Sequence, residues 1–141
     1  MAAKDAWYIS GPMSGIRNYN YPAFQIAAKT LREQGMKVIS PVELDEDFLQ
    51  AGLPTMASQS EDGRNWMIEM QWARMLGRDL GIIRDRCRGL VLLNGWDKSQ
   101  GARLEVCYGL MNRLQFACIH EGEFEPLAHT YVAHVLACSL E

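Results

Sequence analysis

The chain has 141 residues, a net charge of −3 and a pI near 5.6, and 48% of its residues are apolar. That length fits one domain over residues 1–141, with enough apolar material to build a core. An acidic chain without clustered Lys and Arg excludes a general binder of nucleic-acid polymers or of membrane surfaces, because both need a basic face. The local trio Arg84, Arg86 and Arg88 reads as a solvated helix end. The N-terminus carries no apolar leader, and no apolar run nears the ~20 residues that span a bilayer. Four cysteines, Cys87, Cys107, Cys118 and Cys138, have no C-x-x-C spacing, and three lie in apolar runs as small core residues. Reduced thiols and a cytoplasmic location are the expectation.

In chain order, Ala6–Ser10 is a short apolar strand stopped by Gly11-Pro12. A loop runs to Tyr21. Pro22 suits a first helical turn, Phe24, Ala27, Ala28 and Leu31 recur at helical spacing, and Gly35 supplies the stop. Met36–Ser40 forms the second strand. Residues 42–64 are the least regular stretch. They read as a loop carrying a helical turn, long enough for a lid; a surface excursion without a role fits equally well. Asn65 is the N-cap of a long helix ending near Asp85–Arg88, with Trp66, Met70, Ala73, Leu80 and Ile83 on one stripe. The continuous apolar run Gly89–Asn94 reads as a central parallel strand covered on both faces. A polar loop over 95–100 leads into a helix over Gly101–Arg113, then a strand over Gln115–Ile119. The tail, 120–141, is helical from about Pro126, with Leu127, Tyr131 and Leu136 facing inward.

This alternation predicts an α/β fold: a Rossmann-like or flavodoxin-like three-layer sandwich with a four- to five-stranded parallel sheet, order 2-1-3-4(-5). Ligands in such sheets bind where the strand order reverses, at the carboxyl ends of strands one and three. The loops after Ser10 and after Asn94 meet there.

Three constellations have chemical interest. The first is Tyr8-Ile9-Ser10-Gly11-Pro12-Met13-Ser14-Gly15, where glycine lets the backbone approach a ligand. A tight turn without a ligand accounts for it about as well. The second is Ser99-Gln100-Gly101-Ala102-Arg103-Leu104-Glu105, which places a glutamate in the first turn of a helix beside the crevice. The helix dipole would hold that carboxylate ionised, although a simple dipole partner, or an ion pair with Arg103, is the commoner use of such a residue. The third is Arg78-Asp79-Leu80. Asp79 falls near the edge of the buried face, and pairing with Arg78 or Arg86 is its ordinary reading. The histidines His120, His129 and His134 lack metal-ligand spacing, and nothing in the pattern calls for a metal or redox cofactor.

In these three places, and in their order over roughly residues 6–119, the chain resembles nucleoside 2-deoxyribosyltransferases. Its layout is closer to the small nucleoside 5′-monophosphate N-glycosidases and to related short phage and bacterial proteins. The resemblance implies catalytic roles for Glu105, which would attack the anomeric carbon, for Asp79, which would contact the base or a sugar hydroxyl, and for Tyr8, which would hold the nucleophile or sugar. It implies substrate binding by Gly11, Ser14, Gly15, Ser99 and Gly101, with Ser99 six residues before Glu105 as a phosphate-binding serine is in the nucleotide branch. Pro12 departs from that branch, which has a hydroxyl residue there; proline supplies neither hydroxyl nor N–H.

The expected chemistry is cleavage or transfer of an N-glycosidic bond of a (deoxy)nucleoside or its 5′-monophosphate, through a covalent glycosyl-enzyme. The partner is a small-molecule nucleoside or nucleotide. The resemblance also implies a homodimer or a higher symmetric oligomer, packed through the long helix. A non-catalytic nucleotide-binding or sensing protein on the same scaffold is the alternative.

Overall fold

A computed structural model of the protein describes residues 3–13, 20–50 and 66–139; for 46–50 and 66–72 it describes the helical backbone alone. The elements are β1 (Ala6–Ser10), α1 (Tyr21–Glu33), β2 (Val38–Ile39), α2 (Pro41–Gln50), α3 (Trp66–Arg86), β3 (Cys87–Leu92), α4 (Gln100–Met111), β4 (Gln115–His120), β5 (Glu123–Leu127) and α5 (His129–Cys138). The strands form one sheet in the order β2-β1-β3-β4-β5. β1 pairs in parallel with β2 and β3, β3 pairs in parallel with β4, and β5 runs antiparallel to β4.

The sheet is the middle of three layers. Every residue of β1 is buried, as a strand covered on both sides requires. Trp7 and Ile9 point to one face, where Phe24, Ala27, Ala28 and Leu31 of α1 and Val42 of α2 meet them. Tyr8 points to the other face and packs with Ile83 of α3, Ala102 and Val106 of α4 and Val132 of α5. α1 keeps the predicted i, i+3, i+4, i+7 stripe and ends on Gly35 at φ 85. The amides of Gly35 and Met36 there close onto the carbonyls of Arg32 and Leu31 at 3.0 and 3.1 Å, a Schellman ending. α4 ends in the same geometry with Arg113 in the left-handed position, φ 56.

The sheet departs from the sequence expectation at its far edge. Pro126 does not open a helix; it lies in β5, opposite Ala117. An edge strand accommodates proline because one side of its backbone has no ladder to serve. The tail helix follows at His129, whose Nε2 donates to the Leu114 carbonyl at 2.6 Å. Its buried residue is Val132, whereas Tyr131 is exposed. Part of the irregular 42–64 stretch is regular: Pro41–Gln50 is a helix opened by a proline at its first position. The rest of that stretch, and the expected N-cap Asn65, lie outside the described residues.

On α3 the buried stripe is Met75, Asp79 and Ile83, with Ala73 exposed. Arg84 and Arg86 sit in its solvated last turn as expected, but Arg88 belongs to β3 and lies 5.7 Å over the Trp7 ring. Cys87 is fully buried, Cys118 is partly buried, and Cys107 and Cys138 are exposed, contrary to a core role for the apolar-run thiols as a group. Apolar neighbours in sequence do not bury a residue whose helix phase turns it outward. Among the described residues no helix is long and apolar enough to cross a membrane.

Candidate active site

Strand order reverses at β1 and β3, and their carboxyl ends are tied together where the Leu93 amide donates to the Ser10 carbonyl at 2.8 Å. A cleft of about 560 Å³, open solvent at its mouth included, lies beyond that junction. Tyr8, Gly11, Asp79, Ser99, Gly101 and Glu105 all line it. The fold therefore gathers six of the eight residues singled out from the sequence. Ser14 and Gly15 lie outside the described residues. Phe24, Met13, Met75 and Leu76 add an apolar wall, the usual composition of a small-molecule site with a few convergent polar groups.

Glu105 is 6% exposed although it is an acid on a helix. The N-cap of α4 is Ser99, whose Oγ accepts from the Ala102 amide at 3.3 Å. That places Glu105 in the second turn, not the first. The helix dipole fades within one turn, so it does not hold this carboxylate ionised as the sequence suggested. Burial is the largest influence, the negative charge of Asp79 adds to it, and the Glu105 carboxyl is pushed up to about 8. The Ser10 hydroxyl leads the influences that oppose the shift: its Oγ donates to Glu105 Oε1 at 2.7 Å in a buried hydrogen bond. Arg103 does not pair with Glu105; its guanidinium donates to the Asp97 carbonyl at 3.0 Å.

Asp79 sits in the middle of the α3 buried stripe, not at its edge. Arg78 grips it through Nε at 2.8 Å and Nη2 at 2.7 Å, both to Oδ1. Burial still outweighs the guanidinium, and Asp79 is pushed up to about 6. The Tyr8 hydroxyl faces both carboxyls and is fully buried, so its pKa lies well above 10. It makes no hydrogen bond of standard geometry among the described residues. A buried phenol beside two acids is a donor for whichever oxygen is ionised, or for a ligand placed between them.

Two residues the sequence did not single out complete the site. Ser10 is the last residue of β1, inside the first motif, and its hydroxyl orients the nucleophile candidate. Asp45 of α2 is entirely buried, accepts from the Tyr21 hydroxyl at 2.9 Å, and meets Arg78 Nη2 at 3.0 Å. No spacing in the sequence pairs Asp45 with Arg78, because their meeting depends on two helices that approach from opposite faces of the sheet.

A Cβ on Gly11 would meet Leu93 Cβ at 2.7 Å, so packing against the residue that follows β3 requires glycine at this place in the cleft wall. A Cβ on Gly101 would meet nothing within 4 Å. Among the described residues no group of three or more His, Cys, Asp or Glu is placed to hold a metal ion.

Residues 5–117 match the family described as Domain of unknown function (DUF4406). The chain belongs to that family. No curated protein and no solved structure shows significant similarity to it. The matched span contains β1 to β3, α4 and the first residues of β4, and so every residue of the cleft.

Proposed function

We propose that the protein cleaves or transfers the N-glycosidic bond of a nucleoside or nucleoside 5′-monophosphate, as its resemblance to nucleoside 2-deoxyribosyltransferases implies. The observation that carries the reading is a pair of buried carboxyls, Glu105 and Asp79, that line one cleft at the switch point and that burial raises above the ordinary carboxylate range. An oxocarbenium-like transition state needs one carboxylate and one carboxylic acid around the anomeric carbon.

In the first step a Glu105 oxygen forms a bond to C1′ while the C1′–N bond breaks. The bonding pair leaves with the base, which takes a proton from Asp79. In the second step water, or a second base, attacks C1′ and Glu105 departs as a carboxylate. A proton from the attacking group returns to Asp79. Ser10 holds Glu105 Oε1 and leaves the other oxygen for attack. Burial and the charge of the neighbouring acid raise both carboxyls, which favours a pair that holds one proton. The reactive form is the one with Glu105 ionised and the proton on Asp79.

The burial that disfavours the ionised form of Glu105 favours a second reading, a nucleotide-binding protein without turnover. Chromatography of a panel of nucleosides and 5′-monophosphates, ribo and deoxy, with and without a second free base, separates the two. Base release or exchange that vanishes in Glu105→Ala supports the enzyme. A thermal shift without release from any member supports the binding protein. A symmetric oligomer belongs to the same proposal, and light scattering that gives a monomer would refute that part.

A further inference from the structure

We propose that Asp45 and Arg78 act as one positioning unit that keeps Asp79 able to take up and release a proton. The inference rests on the enzymatic reading only for the use to which that proton is put. The unit reaches around the carboxyl edge of the sheet. Tyr21 of α1 donates to Asp45 Oδ2 at 2.9 Å, and Asp45 Oδ1 lies 3.0 Å from Arg78 Nη2. The same Nη2 lies 2.7 Å from Asp79 Oδ1, and Nε donates to that oxygen at 2.8 Å. Both contacts from the guanidinium thus go to one oxygen of Asp79. A free arginine would take the carboxylate end-on, one nitrogen to each oxygen, and hold it ionised. Asp45 Oδ1 competes for the same Nη2 and so draws its charge away from Asp79.

The charged and titratable groups that face Asp79 come from each element around it: Tyr8 from β1, Asp45 from α2, Arg78 from α3 and Glu105 from α4. Among the described residues only Arg78 is a cation. Asp45 is its counterweight, and its own burial is complete. A buried anion that served packing alone would be an expensive choice, since an apolar side chain could fill the same space. Its position against the one guanidinium that touches Asp79 gives it a task.

The test reads Asp79 directly, by carbon-13 carboxyl NMR titration of the intact protein and two variants. In Asp45→Asn the fork is released to Asp79, and the Asp79 midpoint falls by about one pH unit, the scale of a close charge. In Arg78→Lys the charge stays but the fork is lost, and the midpoint rises. Opposite shifts support the unit. Unmoved midpoints, or shifts of the same sign, overturn it, because a packing role changes melting temperature and neither midpoint. If Asp45→Asn does not fold, Arg78→Lys alone decides: a rise supports the unit and a fixed midpoint overturns it. Because the reading is protonation and not turnover, absence of base release would sink the enzymatic proposal and leave this result intact.

Discussion

Glu105 shows how a single buried acid ties chemistry to stability. A carboxyl whose folded pKa is raised binds a proton more tightly in the native state than in the unfolded one. Its contribution to stability is therefore complete below the unfolded value, near 4.5, and is lost as pH rises toward about 8. Glu105→Gln keeps an acceptor for Ser10 and removes the charge. The variant should melt close to the parent at pH 4.5 and above it at pH 8, by roughly 2–4 kcal/mol in unfolding free energy. Denaturant melts at the two pH values check this, and a parent more stable than the variant at pH 8 would contradict the burial argument. In the proposed reaction the same pair would set the pH dependence of turnover. Catalysis needs one proton between the two acids, so kcat/KM should rise through about 6 and fall through about 8. A profile still climbing above pH 9 would remove Asp79 as proton donor. Tyr8, Asp79 and Glu105 could be singled out from the sequence because each lies in a motif that resembles a family, and the fold brings them to one cleft. Their protonation could not, because it depends on burial and on the turn of α4 that holds Glu105, and an N-cap one or two residues earlier changes that turn.

Elements explain which glycines and caps are under constraint. A Cβ at Gly89 would lie 2.5 Å from the Trp7 ring and 2.6 Å from the Gln115 carbonyl oxygen. Trp7 lies across β3 and reaches Phe124 of β5 edge-on at 5.0 Å. Gly89→Ala should then cost about 1–3 kcal/mol of stability by overpacking the centre of the sheet, read from the denaturation midpoint. Arg113, left-handed at the end of α4, invites the opposite change. Arg113→Gly should stabilise by up to about 1 kcal/mol, since glycine takes that conformation without a Cβ penalty; a lower melting temperature would count against the cap. The helix α1 with its apolar stripe, the helices α3 and α4, and the largely apolar strands β1 and β3 were legible from sequence alone. The far edge of the sheet was not. β5, read as the start of a helix, carries a proline and alternates acids with apolar residues, a weak pattern that an edge strand tolerates because its partner β4 supplies the pairing. The α2 helix was hidden for a similar reason: its acids read as a loop, yet Asp45 is buried against Arg78 by tertiary contact.

On the scale of the molecule, the crossing of the chain decides where chemistry can occur. From β1 it goes out to β2 on one side and returns to β3 on the other, so the ends of β1 and β3 face no covering strand loop between them. Helices from both faces send acids toward that gap: Asp45 from α2, Asp79 from α3 and Glu105 from α4. The family match covers this whole arrangement. In the proposed reaction Glu105 is the nucleophile of a glycosyl transfer. Mixing the protein with deoxynucleosides and their 5′-monophosphates, quenching in acid, and measuring the mass of the Glu105 peptide tests it most directly. A nucleophilic Glu105 gives a deoxyribosyl or deoxyribosyl-phosphate adduct on its peptide that is absent from Glu105→Gln, together with loss of base release in that variant. Base release that persists in Glu105→Gln, with no adduct on the parent, would contradict it.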